Sequence, residues 1–519
     1  MARRALAVAP GIGAAGLAAA LVLVPLAAVF LRAEAASPLG PADGAAVRFT
    51  LLQATLSAAL SVLLAIPLAR ALARRRFRGR ALLLALLGAP FILPTIVAVL
   101  GLLAVFGRAG LVSQALALLG LPPVQVYGLH GIVLAHVFFN LPLATRLVLQ
   151  GWLEVPAERF RLAASLGLSA SDINRLIERP ILRATLPGAF LVVFLVCTTS
   201  FAVALALGGG PGATTVELAI YQAFAFDFDL DRAARLALVQ FAIAALAAAA
   251  AFRLARLAAL GGGLDRPVER WDARGPALRA QDAVFIGAAA LFLLLPLAMI
   301  ALRGAPALLS LPPVVWEAAL RSLVVALASA LLATAAALAI AIAAARLTRR
   351  PAALVEGAGY AALAVSPLVI GTGLFILLFP VASPFALALP VTALVNALMS
   401  LPFLLRALVP AVAETEARFG PLADSLGLHG RDRLRLLLFP RLRRPLGFSL
   451  GLSAALSMGD LGVVALFAPP GGGTLPLELY RLMGAYRMED AAGAALLLLV
   501  LSLGLFWLLD RGGRADAQA

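Results

Sequence analysis

The sequence contains no lysine. All 42 basic residues are arginine, set against 26 acids for a formal charge of +16, yet only 13% of the 519 residues are charged. A soluble chain carries about 25%. That shortage, with 63% hydrophobic residues and a mean hydropathy of +1.01, excludes an ordinary water-soluble domain and implies a polytopic membrane protein. The positive balance does not mark a nucleic-acid partner, because the arginines sit in short loops between apolar runs, the positive-inside pattern. One cysteine, Cys197 in an apolar run, excludes an intrachain disulfide and reads as an inert core residue. The three histidines, His130, His136 and His429, have no metal-ligand spacing, so no metal site is expected. Without lysine there is no G-x-x-x-x-G-K-[ST] phosphate loop. The chain is therefore not an ATPase, and neither a catalytic residue nor a cofactor is expected.

What is abundant is apolar sequence. Runs near 11–32, 50–72, 81–106, 129–150, 188–208, 233–252, 283–302, 317–346, 353–380, 386–410, 446–468 and 491–509 are each long enough to cross the hydrocarbon core as a helix. They predict an all-α protein of twelve transmembrane helices, with a first unit at 1–252, a linker at 253–282 and a second unit at 283–519. Arginine-rich loops alternate with arginine-poor ones along the whole chain, which puts both termini on the cytoplasmic side. The first run has a rival reading: Arg3-Arg4, an apolar stretch and Ala33-Glu34-Ala35 resemble a signal peptide. Its apolar stretch is longer than the usual signal core, which favours a retained span.

Two polar segments interrupt this pattern, 154–188 and 414–447. A constant offset of 260 pairs Glu154 with Glu414, Ser165-Leu166-Gly167-Leu168 with Ser425-Leu426-Gly427-Leu428, Asp172 with Asp432 and Pro180 with Pro440. The chain is one membrane unit written twice. Leu162, Leu166 and Ile173 suggest one apolar face of a short amphipathic helix, with Gly167 at its end. Ser169 or Ser171 would cap a second helix carrying Asp172 in its first turn, and Pro180 would stop or bend it. Such a helix–turn–helix suits docking to a soluble partner; the plain alternative is a surface loop tethered by arginine to anionic lipid.

These modules resemble the EAA loops of binding-protein-dependent ABC importer permeases. That family's pattern is E-A-A, three residues, Gly, nine residues, then I-x-L-P. Here R-L-A-A-S-L-G (161–167) is followed by I-E-R-P (177–180), and P-L-A-D-S-L-G (421–427) by L-L-F-P (437–440). Ala163, Gly167, Ile177 and Pro180 match, as do Ala423, Gly427 and Pro440, and the resemblance makes them the ATPase-coupling positions. Arg161 and Pro421 replace the family's Glu, which leaves open any salt bridge that Glu makes. The resemblance implies a multi-pass permease of the bacterial inner membrane. Its expected partners are two copies of a cytosolic ABC ATPase, where ATP is hydrolysed, and a periplasmic substrate-binding protein that delivers a small-molecule substrate. Permeases with two fused halves include those for thiamine and for ferric iron. Residues 205–224, L-A-L-G-G-G-P-G-A-T-T-V-E-L-A-I-Y-Q-A-F, resemble the thiamine permease segment. That implies thiamine and its phosphates as cargo, with ferric iron as the alternative. Asp227, Asp229 and Asp231 would give an acidic outer mouth, or simply a solvated face.

Polar residues inside the spans are few. His136 and Asn140 share a helix face, and Asn396 with Ser400 repeats the spacing. Asp460, whose partner by offset is Ser200, is an intramembrane carboxylate. His136, Asn140, Asn396 and Asp460 are the candidates for the translocation path, weighed against helix capping for Asp460 and interhelical hydrogen bonding for His136. A proton-coupled secondary transporter, the rival from another class, would have to use Asp460 and His136. No clustered catalytic set supports a membrane enzyme.

Overall fold

The computed structural model describes residues 2–34, 38–88, 92–208, 210–254, 275–469 and 471–514, and among them every regular element is helical. Up to residue 254 the helices are α1 (Ala2–Glu34), α2 (Pro41–Arg74), α3 (Arg80–Leu86), α4 (Thr95–Phe106), α5 (Leu111–Leu118), α6 (Leu129–Leu153), α7 (Ala157–Ser165), α8 (Ala170–Ile173), α9 (Arg179–Thr198), α10 (Phe201–Leu207), α11 (Val216–Ala225) and α12 (Leu230–Leu254). The remainder comprises α13 (Pro276–Ala307), α14 (Pro313–Arg346), α15 (Arg349–Tyr360), α16 (Pro367–Leu378), α17 (Ala388–Ser425), α18 (Gly430–Arg433), α19 (Phe439–Met458), α20 (Gly462–Phe467), α21 (Leu475–Gly484) and α22 (Met488–Arg514). Alanine and leucine dominate these runs and favour helix. Proline opens α2, α13, α14 and α16, where its missing N–H costs nothing.

Among the described residues ten helices are long and apolar enough to cross a membrane, or up to eleven if one bent pair is a single span. The all-α membrane fold is as expected, while the expected twelve transmembrane helices are not reached by this count. The run at 353–380 is Arg349–Ala364 followed by Pro367–Leu378, bent by 94°. The run at 446–468 breaks after Met458 into α19 and α20, and α19 holds Arg441, Arg443 and Arg444 in its opening turns. The run at 188–208 likewise ends at Thr198 before α10. Each break falls at a polar, glycine or proline step, which an average over apolar residues does not register. Most of the expected linker, 255–274, lies outside the described residues, while its last residues form the start of α13.

The helix bounds recur along the chain. α2 and α14 start and end 272 residues apart, as do α4 and α16, whereas α9 and α19 are 260 apart. The twelve extra residues fall around α5, which has no described counterpart between α16 and α17. The first helix of each set packs against the last helix of its own set and into the other set: α1 against α12 and against α14, α15 and α16, and α13 against α22 and against α2 and α4. Glycine permits both approaches. A Cβ on Gly373 would lie 2.2 Å from the Pro25 carbonyl oxygen, and one on Gly101 2.8 Å from that of Pro296. α1 buries Ala15, Ala18, Val22 and Val29 and is an integral helix of the bundle, not an appendage.

Candidate functional site

The two polar modules lie at the same end of the bundle as the C-terminal ends of α2 and α14. In each, a helix ends in a residue followed by a left-handed glycine, Gly167 at φ 64° and Gly427 at φ 66°. Ser169 then caps α8: its hydroxyl accepts the Asp172 N–H at 3.3 Å, and its own N–H donates to Asp172 Oδ2 at 3.0 Å. Ser171 makes no cap. Of the two outcomes expected of Pro180, stopping the helix does not occur, for the helix runs on through it. A π-helical turn at Asn174–Glu178 widens the coil ahead of it, and Leu434–Leu438 does the same ahead of Pro440. Both prolines are exposed.

Ala163 and Ala423 are buried at 3% exposure. In the first module Ala163 packs with Val155, Phe160 and Ile173, and Ile177 lies against this cluster. The expected shared face of Leu162, Leu166 and Ile173 is thus wrong: Ile173 points in while Leu162 and Leu166 point out. With Leu176 they match Leu422, Leu426 and Leu436, and all six are between 58% and 65% exposed. Each module therefore presents the same outward apolar patch.

The supports beneath the patches differ. Glu178, fully buried in the first module, receives Arg70 Nη2 at 2.7 Å and Arg74 Nη2 at 3.4 Å. The second uses Glu416, which receives Arg346 Nη2 at 3.4 Å and Arg433, and Arg433 also pairs with Asp424. Arg433 stands at the post of Ile173, so one module has an apolar core and the other an ionic one. Arg74 and Arg346 close α2 and α14, and so each module is tied to the long helix before it.

His136, Asn140, Asn396 and Asp460 line one cavity of about 350 Å³ together with Ser200, Ser400 and Ser457. Phe139 and Phe403 also line it. His136 Nδ1 meets Ser57 Oγ at 3.2 Å, and its Nε2 has no partner among the described residues. Asn140 Nδ2 donates to the His136 carbonyl at 2.9 Å. Asn396 Nδ2 donates to Ser457 Oγ at 3.0 Å, and Ser457 Oγ contacts Ser329 Oγ at 3.0 Å. Asp460 sits in the break between α19 and α20. Its Oδ1 accepts the Gly462 N–H at 3.2 Å, while Oδ2 has no described partner. Ser200 occupies the matching break between α9 and α10. The helix breaks bring Ser200 and Asp460 to the cavity, opposite the polar faces of α6 and α17.

The expected acidic mouth is not free. Asp231 pairs with Arg32 at 2.5 Å, and Arg232 bridges Asp227 at 2.7 Å and Asp43 at 2.8 Å. The helix after the glycine run is a core element: α11 buries Val216, Glu217, Leu218, Ala219, Ile220, Ala223 and Phe224. Sequence reasoning passed over Glu217, whose signal was a single carboxylate in an otherwise apolar ten-residue helix. It also passed over the Arg74 and Arg346 anchors and the two phenylalanines.

No protein-family model matches the chain. It is 40% identical over 448 residues to the thiamine transport system permease protein of Brucella abortus, covering 85% of this chain and 82% of that protein. It is 39% identical over 475 residues to the protein of the same name in Salmonella typhimurium, covering 90% and 88%. The Haemophilus influenzae protein of that name is 34% identical over 449 residues, 84% and 83% of the two chains. A multi-pass helical membrane protein with paired modules and a polar central cavity, alike to these along most of its length, belongs to the family of thiamine transport system permease proteins.

Proposed function

We propose that this chain is the permease of an ABC importer that carries thiamine and thiamine phosphates across the bacterial inner membrane. A separate cytosolic ATPase drives it, and a periplasmic binding protein supplies the cargo. The kinship with thiamine permeases over more than four-fifths of their length carries this reading and disfavours ferric iron. In this reading the repeats are 1–252 and 283–519, the termini and the modules face the cytoplasm, and two ATPase copies dock, one on each module. Leu162, Leu166, Leu176 and their counterparts Leu422, Leu426, Leu436 form the docking patches, supported by the turns at Gly167 and Gly427. The ATP is bound and hydrolysed in the partner, and this chain contributes no catalytic group or cofactor.

His136, Asn140, Asn396 and Asp460 line the translocation path in this reading. An unpartnered carboxylate oxygen and two phenyl faces suit a cationic aromatic ring, by charge and by cation–π contact. The work of ATP reaches the cavity only if the ATPase binds the inward- and outward-open states with different affinity. The ties from Arg74 to Glu178 and from Arg346 to Glu416 supply a rigid route from each module into α2 and α14.

Deleting the permease in a strain unable to make thiamine tests the cargo. Loss of growth on low external thiamine with normal iron uptake is expected, and normal thiamine uptake with an iron defect overturns the assignment. Vanadate inhibition of uptake in vesicles bearing the partner ATPase is also expected, and insensitivity would move the protein to a proton-coupled class.

A further inference from the structure

Behind one wall of the cavity lies a second polar site. Glu217 on α11 is 1% exposed, and neither carboxylate oxygen has a hydrogen-bond partner or a cation among the described residues. Ser366, at the bend before α16, and Gln240, in the middle of α12, face it without hydrogen-bond alignment. Gln240 Nε2 donates to the Thr198 carbonyl at 2.8 Å, and Gln53 Nε2 to the Cys197 carbonyl at 3.0 Å, both at the end of α9. The Oε1 atoms of Gln240 and Gln53 have no described donor. Thr198 and Ser366 stand within two residues of Ser200 and Pro367, which line the cavity. Glu217 is therefore wedged between two helix breaks that shape the same wall.

Nothing nearby neutralises it. α10, α16 and α20 carry no ionisable side chain, and α11 adds only Tyr221 beyond Glu217. α2 and α12 offer Gln53, Thr50 and Gln240 at this level, with their charged residues Asp43, Arg48, Arg70, Arg74, Asp231, Arg232, Arg235 and Arg253 toward their ends. The other titratable groups around α11 are Cys197, Asp460, and Tyr480 with Arg481 beside Tyr221. An ionised carboxylate without a counter-charge is strongly disfavoured in such surroundings. One proton resolves the set: the acid O–H donates to Gln240 Oε1, and the acid carbonyl accepts from Ser366.

We propose that Glu217 is a proton-binding positioning residue. As a neutral acid it ties α12 to the bend before α16, and loss of the proton loosens that wall. The site goes beyond the transport reading and does not depend on the cargo. Infrared difference spectra of the full chain in nanodiscs, wild type against Glu217→Gln with Asp460→Asn as control, read it directly. At neutral pH the wild type should show a protonated-carboxyl carbonyl band that shifts in D2O, is lost in Glu217→Gln and persists in Asp460→Asn. Raising the pH should remove the band and lower the melting temperature of the wild type, while Glu217→Gln stays level. The sign follows because a group kept neutral by folding loses its contribution as pH rises through its titration. An ionised carboxylate at neutral pH overturns the proposal, as does an ionised band that moves with sodium but not potassium, which would make Glu217 a cation ligand. So does a Glu217→Gln melting profile that falls with pH like the wild type. Should Glu217→Gln fail to fold, the pH titration of the band in Asp460→Asn decides alone.

Discussion

Asp460 and Gly167 show how much one residue carries here. Asp460 spends one oxygen on capping α20 and leaves the other without a described partner in a residue that lines the cavity, so capping does not exhaust the side chain. Asp460→Asn keeps an oxygen for the Gly462 N–H but removes the charge. Uptake of a cationic cargo should fall roughly ten- to a hundredfold, the worth of one charged hydrogen bond, with membrane insertion unchanged on immunoblots. Gly167 and Gly427 have open space where a Cβ would go, but both have left-handed backbone. Bulk is therefore not what a substitution there introduces. Each alanine should cost about 1–2 kcal/mol through its backbone alone, so Gly167→Ala should impair ATPase stimulation about as much as Gly167→Leu. A much milder alanine variant would show that the turn is not under that constraint. The glycines were legible because each ends one helical pattern and precedes another, and the cavity polars because charge is so scarce. Glu217 is illegible in the sequence because one carboxylate in the first turn of a short helix is indistinguishable from a solvated end residue until its burial is seen.

At the scale of elements, the modules were legible in position and in their turns but not in their facing. Leu162 and Ile173 are eleven residues apart, three helical turns on paper. Helical phase does not survive the reversal at Gly167, however, so the leucines came out and the isoleucine went in. The exposed patches predict that Leu162→Glu with Leu422→Glu will leave thermal unfolding within about 0.5 kcal/mol of wild type, as surface changes do. Stimulation of the partner ATPase should be lost. Intact stimulation in the double variant would place docking elsewhere. The broken helices were illegible for a related reason. Apolar content sums over a window, whereas a break such as Gly459-Asp460 is set by which neighbours satisfy the freed backbone groups.

For the whole molecule, the repeat and its membrane character were plain in the sequence, and the exchange of α1 and α13 was not, since nothing local says which helices meet. Accessibility labelling is a direct check of the proposed orientation, because the lone native thiol, Cys197, is buried. A cysteine placed at 154–188 or 414–447 should resist an impermeant reagent applied to whole cells, and labelling from outside would invert the topology. Gly373→Leu should detach α1 from α16 and reduce the folded protein recovered in detergent, whereas the same change at Gly13, where a Cβ has open space, should be silent. The exchange also has a timetable. α1 ends at Glu34 and α14 begins at Pro313, so a ribosome adding about 5–20 residues per second works for roughly 15–60 s before the first helix has that partner. In the interval α1 has α12, and lipid must cover the side that α14, α15 and α16 later take. α13 finds α2 and α4 already in the bilayer when it emerges and waits for α22 alone. A nascent chain halted at residue 252 would hold α1 against α12 and nothing from α14 to α16, so the earliest helix waits half-enclosed until those three are made.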